Sequence, residues 1–300
     1  MLVWQHSLDK RKGEVLQYPK VKKEGNMRLT YFGTAAYEGI PALGCECDTC
    51  KRARALGGRN IRTRCQALVD DALLLDFPPD TVWHFMQYGI DFSKLQGCLI
   101  SHSHSDHLYA DDLEILGSYY TKNDRAMPIR FFCGESGYSM ILPKTEKEHM
   151  HNRIAVEQVR AFEKFKVGVY EVLSIRASHN PDSTPLVYRI EKEGKSMLFA
   201  HDTGVFSDES WKALERAGRL DLVSLDCTCA FWTGRATRHL SFDVCLTVFD
   251  EMKKRGIADE NTKFIVNHFS HNGGANYDDI IERASPLGIL VSYDGMTVEF

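Results

Sequence analysis

The sequence has no apolar run of about 20 residues that could cross a bilayer. Residues 1–5 lack the apolar core of a secretory signal peptide. Stretches rich in glycine, proline or serine, tandem repeats and low-complexity segments are missing as well. These absences predict a soluble, cytoplasmic protein without flexible linkers. The 300 residues, 43% of them hydrophobic, suffice for one large α/β core.

An excess of positive charge is also missing. The chain carries 37 Lys and Arg against 41 Asp and Glu, a formal net charge of -4. This balance gives no support to a nucleic-acid or membrane-surface partner. Basic residues cluster only near the start, at Lys10, Arg11, Lys12, Lys20, Lys22 and Lys23. We therefore expect an N-terminal extension over residues 1–26 and one folded domain over residues 27–300.

Three of the 9 cysteines lie within six residues. Disulfides are not expected in a reducing compartment, where clustered cysteines more often indicate a metal site. Cys45, Cys47 and Cys50 offer three thiolates, and His271 is the natural fourth ligand of a tetrahedral zinc. Such a closed site would be structural. The alternative is a reduced, exposed thiol cluster, which would be prone to oxidation.

The densest polar segment is Ser-His-Ser-His-Ser-Asp-His at residues 101–107. It lies between a predicted strand over 97–100 and a predicted helix over 108–120. Imidazole and carboxylate groups are the ligands that hold zinc, manganese and iron. The candidate ligands are His102, His104, Asp106 and His107. A loop of this kind, at the edge of a sheet, is where functional residues collect.

Three further candidates, His179, Asp202 and His268, each follow an apolar stretch that reads as a strand. Taken singly, each is more often a surface residue or a satisfied histidine. Taken together with residues 101–107, they indicate a two-metal site. His201 points the opposite way from its neighbour Asp202 if the segment is extended. We therefore expect His201 to support the site from behind or to lie at the surface.

Hairpins in both halves of the sequence are followed by helices. The predicted strands cover residues 29–32, 67–69, 72–76, 97–100, 129–133, 186–190, 196–200, 222–225, 264–266, 290–292 and 297–300, with a strand pair within 157–177. The predicted helices cover residues 80–88, 108–120, 208–217 and 242–255. This order indicates an α/β fold in which two mixed sheets pack together with helices outside, a four-layer αββα sandwich.

The motif His-x-His-x-Asp-His, followed by a His, an Asp and a His at strand ends, resembles that of the metallo-β-lactamase-fold hydrolases. The resemblance implies that His102, His104 and His179 bind one metal and that Asp106, His107 and His268 bind the other, with Asp202 bridging. It also implies the αββα fold. Two such metals, zinc or manganese with iron as a further option, can share a hydroxide and stabilise charge on an ester oxygen.

The cysteine cluster makes the chain resemble one branch of this family in particular. The segment 33–50 is similar to that of the branch containing the phosphodiesterase of the carbon–phosphorus lyase pathway. This implies Cys45, Cys47, Cys50 and His271 as structural zinc ligands. It also implies a histidine that assists at the phosphate or leaving group, matched here by His239. A surface residue at a helix start is the alternative for His239. In the branch a glycine commonly follows the Asp-His pair, whereas Leu108 follows it here.

The leading hypothesis is a phosphodiesterase that cleaves a small, cyclic or open phosphodiester, with Asp106 and His239 as catalytic residues. Its expected cofactors are two divalent ions and one structural zinc. One alternative is an RNA-processing nuclease of the tRNA 3′-end type. Another is a non-hydrolytic protein like pyrroloquinoline-quinone biosynthesis protein B, which has a similar cysteine cluster. A monomer and a homodimer both remain open.

Overall fold

The computed structural model describes residues 25–123, 127–232, 234 and 237–300. The predicted extension over residues 1–26 therefore lies outside the described residues, except for Gly25 and Asn26. None of the helices in the described part of the chain combines the length and apolar character that a membrane crossing requires.

Two seven-stranded sheets form the centre of the molecule. The first sheet contains β1 (Arg28–Gly33), β2 (Gln66–Val69), β3 (Leu73–Leu75), β4 (Gly97–Leu99), β5 (Ile129–Cys133), β6 (Ile154–Gln158) and β14 (Thr297–Glu299). The second contains β7 (Lys164–Val167), β8 (Tyr170–Arg176), β9 (Leu186–Lys192), β10 (Lys195–Ala200), β11 (Leu222–Asp226), β12 (Lys263–Asn267) and β13 (Leu290–Val291).

Both sheets are mixed, and their parallel halves position the site. The strand orders are β14-β1-β2-β3-β4-β5-β6 and β13-β12-β11-β10-β9-β8-β7. Strands β3 to β6 run parallel in the first sheet, and β10 to β13 run parallel in the second. Loops that follow β4, β10 and β12 therefore leave their sheets at the same edge, where ligand sites of α/β sheets form.

Six α-helices occur in the described residues: α1 (Asp48–Leu56), α2 (Thr81–Tyr88), α3 (Glu135–Thr145), α4 (Asp208–Ala217), α5 (Phe242–Lys254) and α6 (Tyr277–Ala284). Short 3₁₀ helices cover Gly58–Asn60, Phe92–Lys94, Ala110–Leu116, Glu148–Met150, Pro181–Ser183, His271–Gly273 and Ser285–Leu287.

Three buried apolar clusters define the layers. One lies between the sheets and joins Tyr31 and Phe132 of the first to Phe199 of the second. A second packs the apolar faces of α4, α5 and α6 on the outer side of the second sheet. The third packs Ile141 of α3 on the outer side of the first sheet. This arrangement confirms the four-layer αββα sandwich.

Most predicted elements are present, but the helix predicted over residues 108–120 is wrong. Leu108 forms a bridge with Phe77, and the Tyr109 amide donates to the Phe77 carbonyl at 2.8 Å, so this part is extended. A 3₁₀ helix begins only at Ala110 and ends at Leu116, where extended Gly117 follows. Helices α1, α3 and α6 were not predicted.

Candidate binuclear metal centre

All seven predicted ligands of the binuclear site converge at the common edge of the two sheets. Two groups of donor atoms form, each with its members within 4.8 Å of one another. The first group contains His102, His104, His179 and Asp202, and the second contains Asp106, His107, Asp202 and His268. Asp202 belongs to both groups and also to a third group of donors, with Asp226, His239 and His268.

One oxygen of Asp202 lies between the two groups. Its Oδ2 is 3.1 Å from Nε2 of His102 and 3.0 Å from Nε2 of His107. The residue adopts φ +49°, a left-handed conformation that turns the chain sharply after β10. His268, which follows β12, has φ +63°, and the chain turns sharply there as well. These two strained turns aim both side chains at the gap between the sheets.

Hydrogen bonds to Nδ1 orient four of the five imidazoles. The Nδ1 atoms of His102 and His268 lie 3.1 and 2.8 Å from the hydroxyls of Ser101 and Thr228. His107 donates from Nδ1 to Asp76 at 2.7 Å, and His179 to the Arg238 carbonyl at 3.4 Å. A partner on Nδ1 leaves the Nε2 lone pair free to face the centre. The sequence analysis missed Asp76, although it follows β3 as the predicted ligands follow their own strands.

Nδ1 of His104 faces a nitrogen of two other imidazoles and can donate a proton to only one of them. Nε2 of His102 is 2.8 Å from Nδ1 of His104, and Nδ1 of His104 is 3.4 Å from Nε2 of His179. Oδ1 of Asp202 is buried and accepts no hydrogen bond. Converging lone pairs and a carboxylate oxygen without a donor are the environment that a cation satisfies. The two clusters therefore fit divalent metal sites.

The buried carboxylates and imidazoles of the two groups shift each other's pKa. Burial alone would raise the pKa of Asp202, but His268 and His107 hold it well below its usual value. Burial lowers the pKa of His107, yet Asp106, Asp76 and Asp202 together raise it well above the usual value. The histidines thus provide the positive charge that these carboxylates require.

His239 lies beside the binuclear site and is not a surface residue at a helix start. Its Nδ1 lies 3.1 Å from Oδ2 of Asp226 and 3.4 Å from Oδ1 of Asp202. Burial lowers the pKa of His239, but Asp226 and then Asp202 raise it to about 9. Asp226, at the end of β11, also accepts hydrogen bonds from the backbone amides of Thr228 and Leu240. The sequence analysis missed this partner, whose position at a strand end was the available signal.

His201 is buried on the inner side of the second sheet, so the surface location considered for it is wrong. It lies 3.0 Å from the Cys65 thiol and 2.9 Å from the Ser224 hydroxyl. Asn267, which precedes His268, contacts the same ring at 3.0 Å. His201, which precedes Asp202, and Asn267, which precedes His268, are therefore in contact on the inner side of the second sheet.

The cysteine cluster forms a second, separate group of donors. Nδ1 of His271 is 3.6 Å from Sγ of Cys45 and 3.3 Å from Sγ of Cys47, and Cys50 completes the group. Cys47 is the residue before α1, and its sulfur accepts from the Cys50 amide at 3.5 Å. Burial raises the pKa of Cys47, but hydrogen bonds with His271 and the Cys50 amide outweigh this and lower it to about 6. Three thiols and one imidazole fit a tetrahedral zinc.

The binuclear site is at the bottom of a cleft of about 660 Å³. The residues that line it are Ala36, Tyr37, Glu38, His104, Ser105, Asp106, His179, Asp202, Thr228, Cys229, Trp232, His239, His268, Ser270, Asn272 and Gly273. Two aromatic side chains, Tyr37 and Trp232, remain 60% and 47% exposed there. None of these described lining residues is Lys or Arg.

Residues 76–259 match the family model of the beta-lactamase superfamily domain. The chain belongs to this superfamily. The matched residues include six of the seven ligand positions and His239, whereas His268 and the cysteine group lie outside them.

Solved structures show the same superfamily fold over nearly the whole chain. A diphosphatase from the PhnP family has 20% identity and a TM-score of 0.70, covering 92% of this chain and 97% of its own. Zn²⁺-bound PqqB from Methylobacterium extorquens has 17% identity and a TM-score of 0.69, covering 90% and 99%. The short form of human tRNase Z has 13% identity and a TM-score of 0.63, covering 90% and 98%. No curated protein sequence matches the chain. The fold prediction is thereby confirmed.

Proposed function

We propose that this superfamily member is a metal-dependent phosphodiesterase acting on a small phosphodiester, cyclic or open. The observation that carries the proposal is the shared position of Asp202 between two donor groups at the bottom of a cleft. Both groups face the same space, so one ester can contact both. The diphosphatase of the PhnP family has a similar fold, which supports the choice of a phosphate ester as substrate.

In this proposal, the seven ligands hold two divalent ions, zinc or manganese. When bound, such ions would supply Lewis acidity that activates water and stabilises negative charge on the phosphate. Asp106 is buried, and its Oδ2 is 3.2 Å from Nε2 of His107. Its carboxylate faces the cleft, where it can also accept a hydrogen bond from an attacking water.

His239 is proposed to donate a proton to the leaving oxygen. It lines the cleft, and its hydrogen bond to Asp226 orients the ring so that Nε2 is the free nitrogen. Asp226 also favours the protonated ring by its negative charge. An acid placed in this way assists most when the leaving group is a poor one, such as an alkoxide.

The cysteine group is proposed to hold a structural zinc. Cys45, Cys47, Cys50 and His271 supply four donors, which leaves a tetrahedral ion no open position. The site is separate from the two donor groups of Asp202, so this zinc would stabilise the loops rather than contact the phosphate.

The cleft favours a small diester over a nucleic acid. The described lining residues offer no Lys or Arg side chain, whereas RNA-binding clefts contact several phosphates with such residues. The basic residues of 1–24, on which a tRNA-processing function would depend, lie outside the described residues. The nuclease and the non-hydrolytic cofactor-biosynthesis protein remain alternative hypotheses.

A substrate panel tests the proposal. Purified protein loaded with manganese or zinc should hydrolyse bis(p-nitrophenyl) phosphate and lose this activity on chelation. Cleavage of a pre-tRNA with no activity on small diesters would favour the nuclease. Turnover of a carboxylic ester or amide without any diester cleavage would contradict phosphodiester hydrolysis, and no turnover of any substrate would favour the non-hydrolytic alternative.

A further inference from the structure

The two loops that carry the cysteine group also form one wall of the cleft. The first loop, residues 34–50, contributes Tyr37 and Glu38 to the cleft and the three cysteines to the metal group. The second, residues 268–274, contributes His268 to the binuclear site, Ser270 to the cleft and His271 to the cysteine group. The cysteine group and the cleft wall are therefore built on the same two loops.

Backbone hydrogen bonds join the two loops near the binuclear site. The Phe269 amide donates to the Thr34 carbonyl at 2.9 Å, and the Ala36 amide donates to the Phe269 carbonyl at 2.9 Å. Beyond this pairing, the loops are joined by side chains of Glu38, Ser270 and His271. The position of the wall thus depends on these side-chain contacts.

Glu38 contacts both sides of this wall. Its Oε1 accepts a hydrogen bond from the Ser270 hydroxyl and lies 3.6 Å from Nε2 of His271. His271 presents its other nitrogen, Nδ1, to the sulfurs of Cys45 and Cys47. A carboxylate on one imidazole nitrogen fixes the tautomer and makes the other a better metal ligand. The Glu38 side chain is 25% exposed and lines the cleft.

We infer that Glu38 is a positioning residue that couples the cysteine metal site to the substrate cleft. It orients His271 toward the thiolates and, through Ser270, holds the cleft wall in place. Metal bound at the cysteine group therefore favours one position of Glu38 and of the neighbouring Tyr37. The consequence for substrate affinity rests on the proposed phosphodiesterase function, whereas the consequence for metal affinity does not.

Cobalt titration of three variants tests the coupling. A thiolate-bound Co²⁺ ion has a sulfur-to-metal charge-transfer absorption that His/Asp sites lack, so this band reports the cysteine group alone. Glu38→Ala should weaken cobalt binding there about 10- to 100-fold, the usual effect of losing a carboxylate behind a ligand histidine. Glu38→Gln keeps an oxygen acceptor and should lie in between. Glu171→Gln is the matched control, because Glu171 pairs with Lys166 outside both loops and is 66% exposed.

Steady-state kinetics test the effect on the cleft. With bis(p-nitrophenyl) phosphate, Glu38→Ala should raise KM several-fold and leave kcat within about twofold, because the wall binds substrate but does not take part in the chemistry. Glu171→Gln should change neither constant. Unchanged cobalt affinity in Glu38→Ala would overturn the inference, as would a loss confined to kcat. If the wild type cleaves no diester, the proposed function fails, and the cobalt titration alone decides on Glu38.

Discussion

His107 and His268 face each other across the binuclear site with their Nε2 atoms 3.2 Å apart. Both Nδ1 atoms have hydrogen-bond partners, Asp76 for His107 and Thr228 for His268. Two buried imidazole lone pairs at this distance repel each other unless a cation or a proton lies between them. The contact therefore fits a cation, or a shared proton, between the two rings.

Asp76→Asn should weaken metal binding at the binuclear site without removing a ligand. The carboxylate holds the proton on Nδ1 of His107, and losing it should lower metal affinity about 10- to 100-fold. Competition with a chromogenic chelator measures this affinity. Asp182→Asn is the matched control, because Asp182 is exposed on the 3₁₀ helix after His179. Equal affinities for wild type and Asp76→Asn would mean that Asp76 does not orient the ring.

His239→Ala should slow the cleavage of poor leaving groups more than that of good ones. If the residue donates a proton to the leaving oxygen, kcat should fall about 10²- to 10⁴-fold for an alkyl diester. For bis(p-nitrophenyl) phosphate, whose leaving group needs little protonation, the decrease should be much smaller. His151→Ala, a change at an exposed histidine, provides the control. The same loss for both substrates would argue that His239 acts on the metal site instead.

Zinc should protect Cys47 from alkylation. In the zinc-free protein, His271 and the Cys50 amide lower the pKa of the exposed Cys47 to about 6, even though burial opposes this, so the thiolate predominates at pH 7. Iodoacetamide followed by peptide mapping should label Cys47 early and buried Cys65 and Cys98 only on unfolding. Equally rapid labelling with and without zinc would contradict metal binding at this cluster.

The stability of the fold should depend on pH through Asp294. Burial raises the pKa of this residue from 3.8 to about 6, although Thr34 and Thr63 donate hydrogen bonds to it. A raised folded pKa means that the native state binds the proton more tightly. The stabilisation is therefore complete below pH 3.8 and is lost as the pH rises through about 6.

This loss amounts to about 3 kcal/mol at 1.36 kcal/mol per pKa unit. Asp294→Asn removes the titrating group. The free energy of unfolding of this variant, minus that of the wild type, should therefore rise by about 3 kcal/mol between pH 4 and pH 7. Urea denaturation across this range measures the difference, and Asp208→Asn, at an exposed position, is the control. A difference that stays constant with pH would show that Asp294 does not titrate there.

The convergence of the seven candidate ligands could be predicted from the sequence because their signals are local. The spacing of residues 101–107 and the position of His179, Asp202 and His268 after apolar strands are readable along the chain. Asp226 could not be paired with His239, because the contact depends on how the loop after β11 returns to the site. Glu38 was not predicted because its contacts, with Ser270 and His271, join two loops that lie far apart in the sequence. Helix α1 was missed because its exposed face is polar and its apolar pattern is weak.

The most direct test of the account is the metal content and activity of Asp202→Ala. The wild type should bind three metal ions per chain, measured by elemental analysis, and diester hydrolysis should follow the occupancy of the two His/Asp positions. The variant loses the oxygen shared by both groups, so it should retain the ion at the cysteines, lose the other two and fall to background activity. Full activity in the variant, or in wild-type protein that holds metal only at its cysteines, would contradict a binuclear hydrolytic centre.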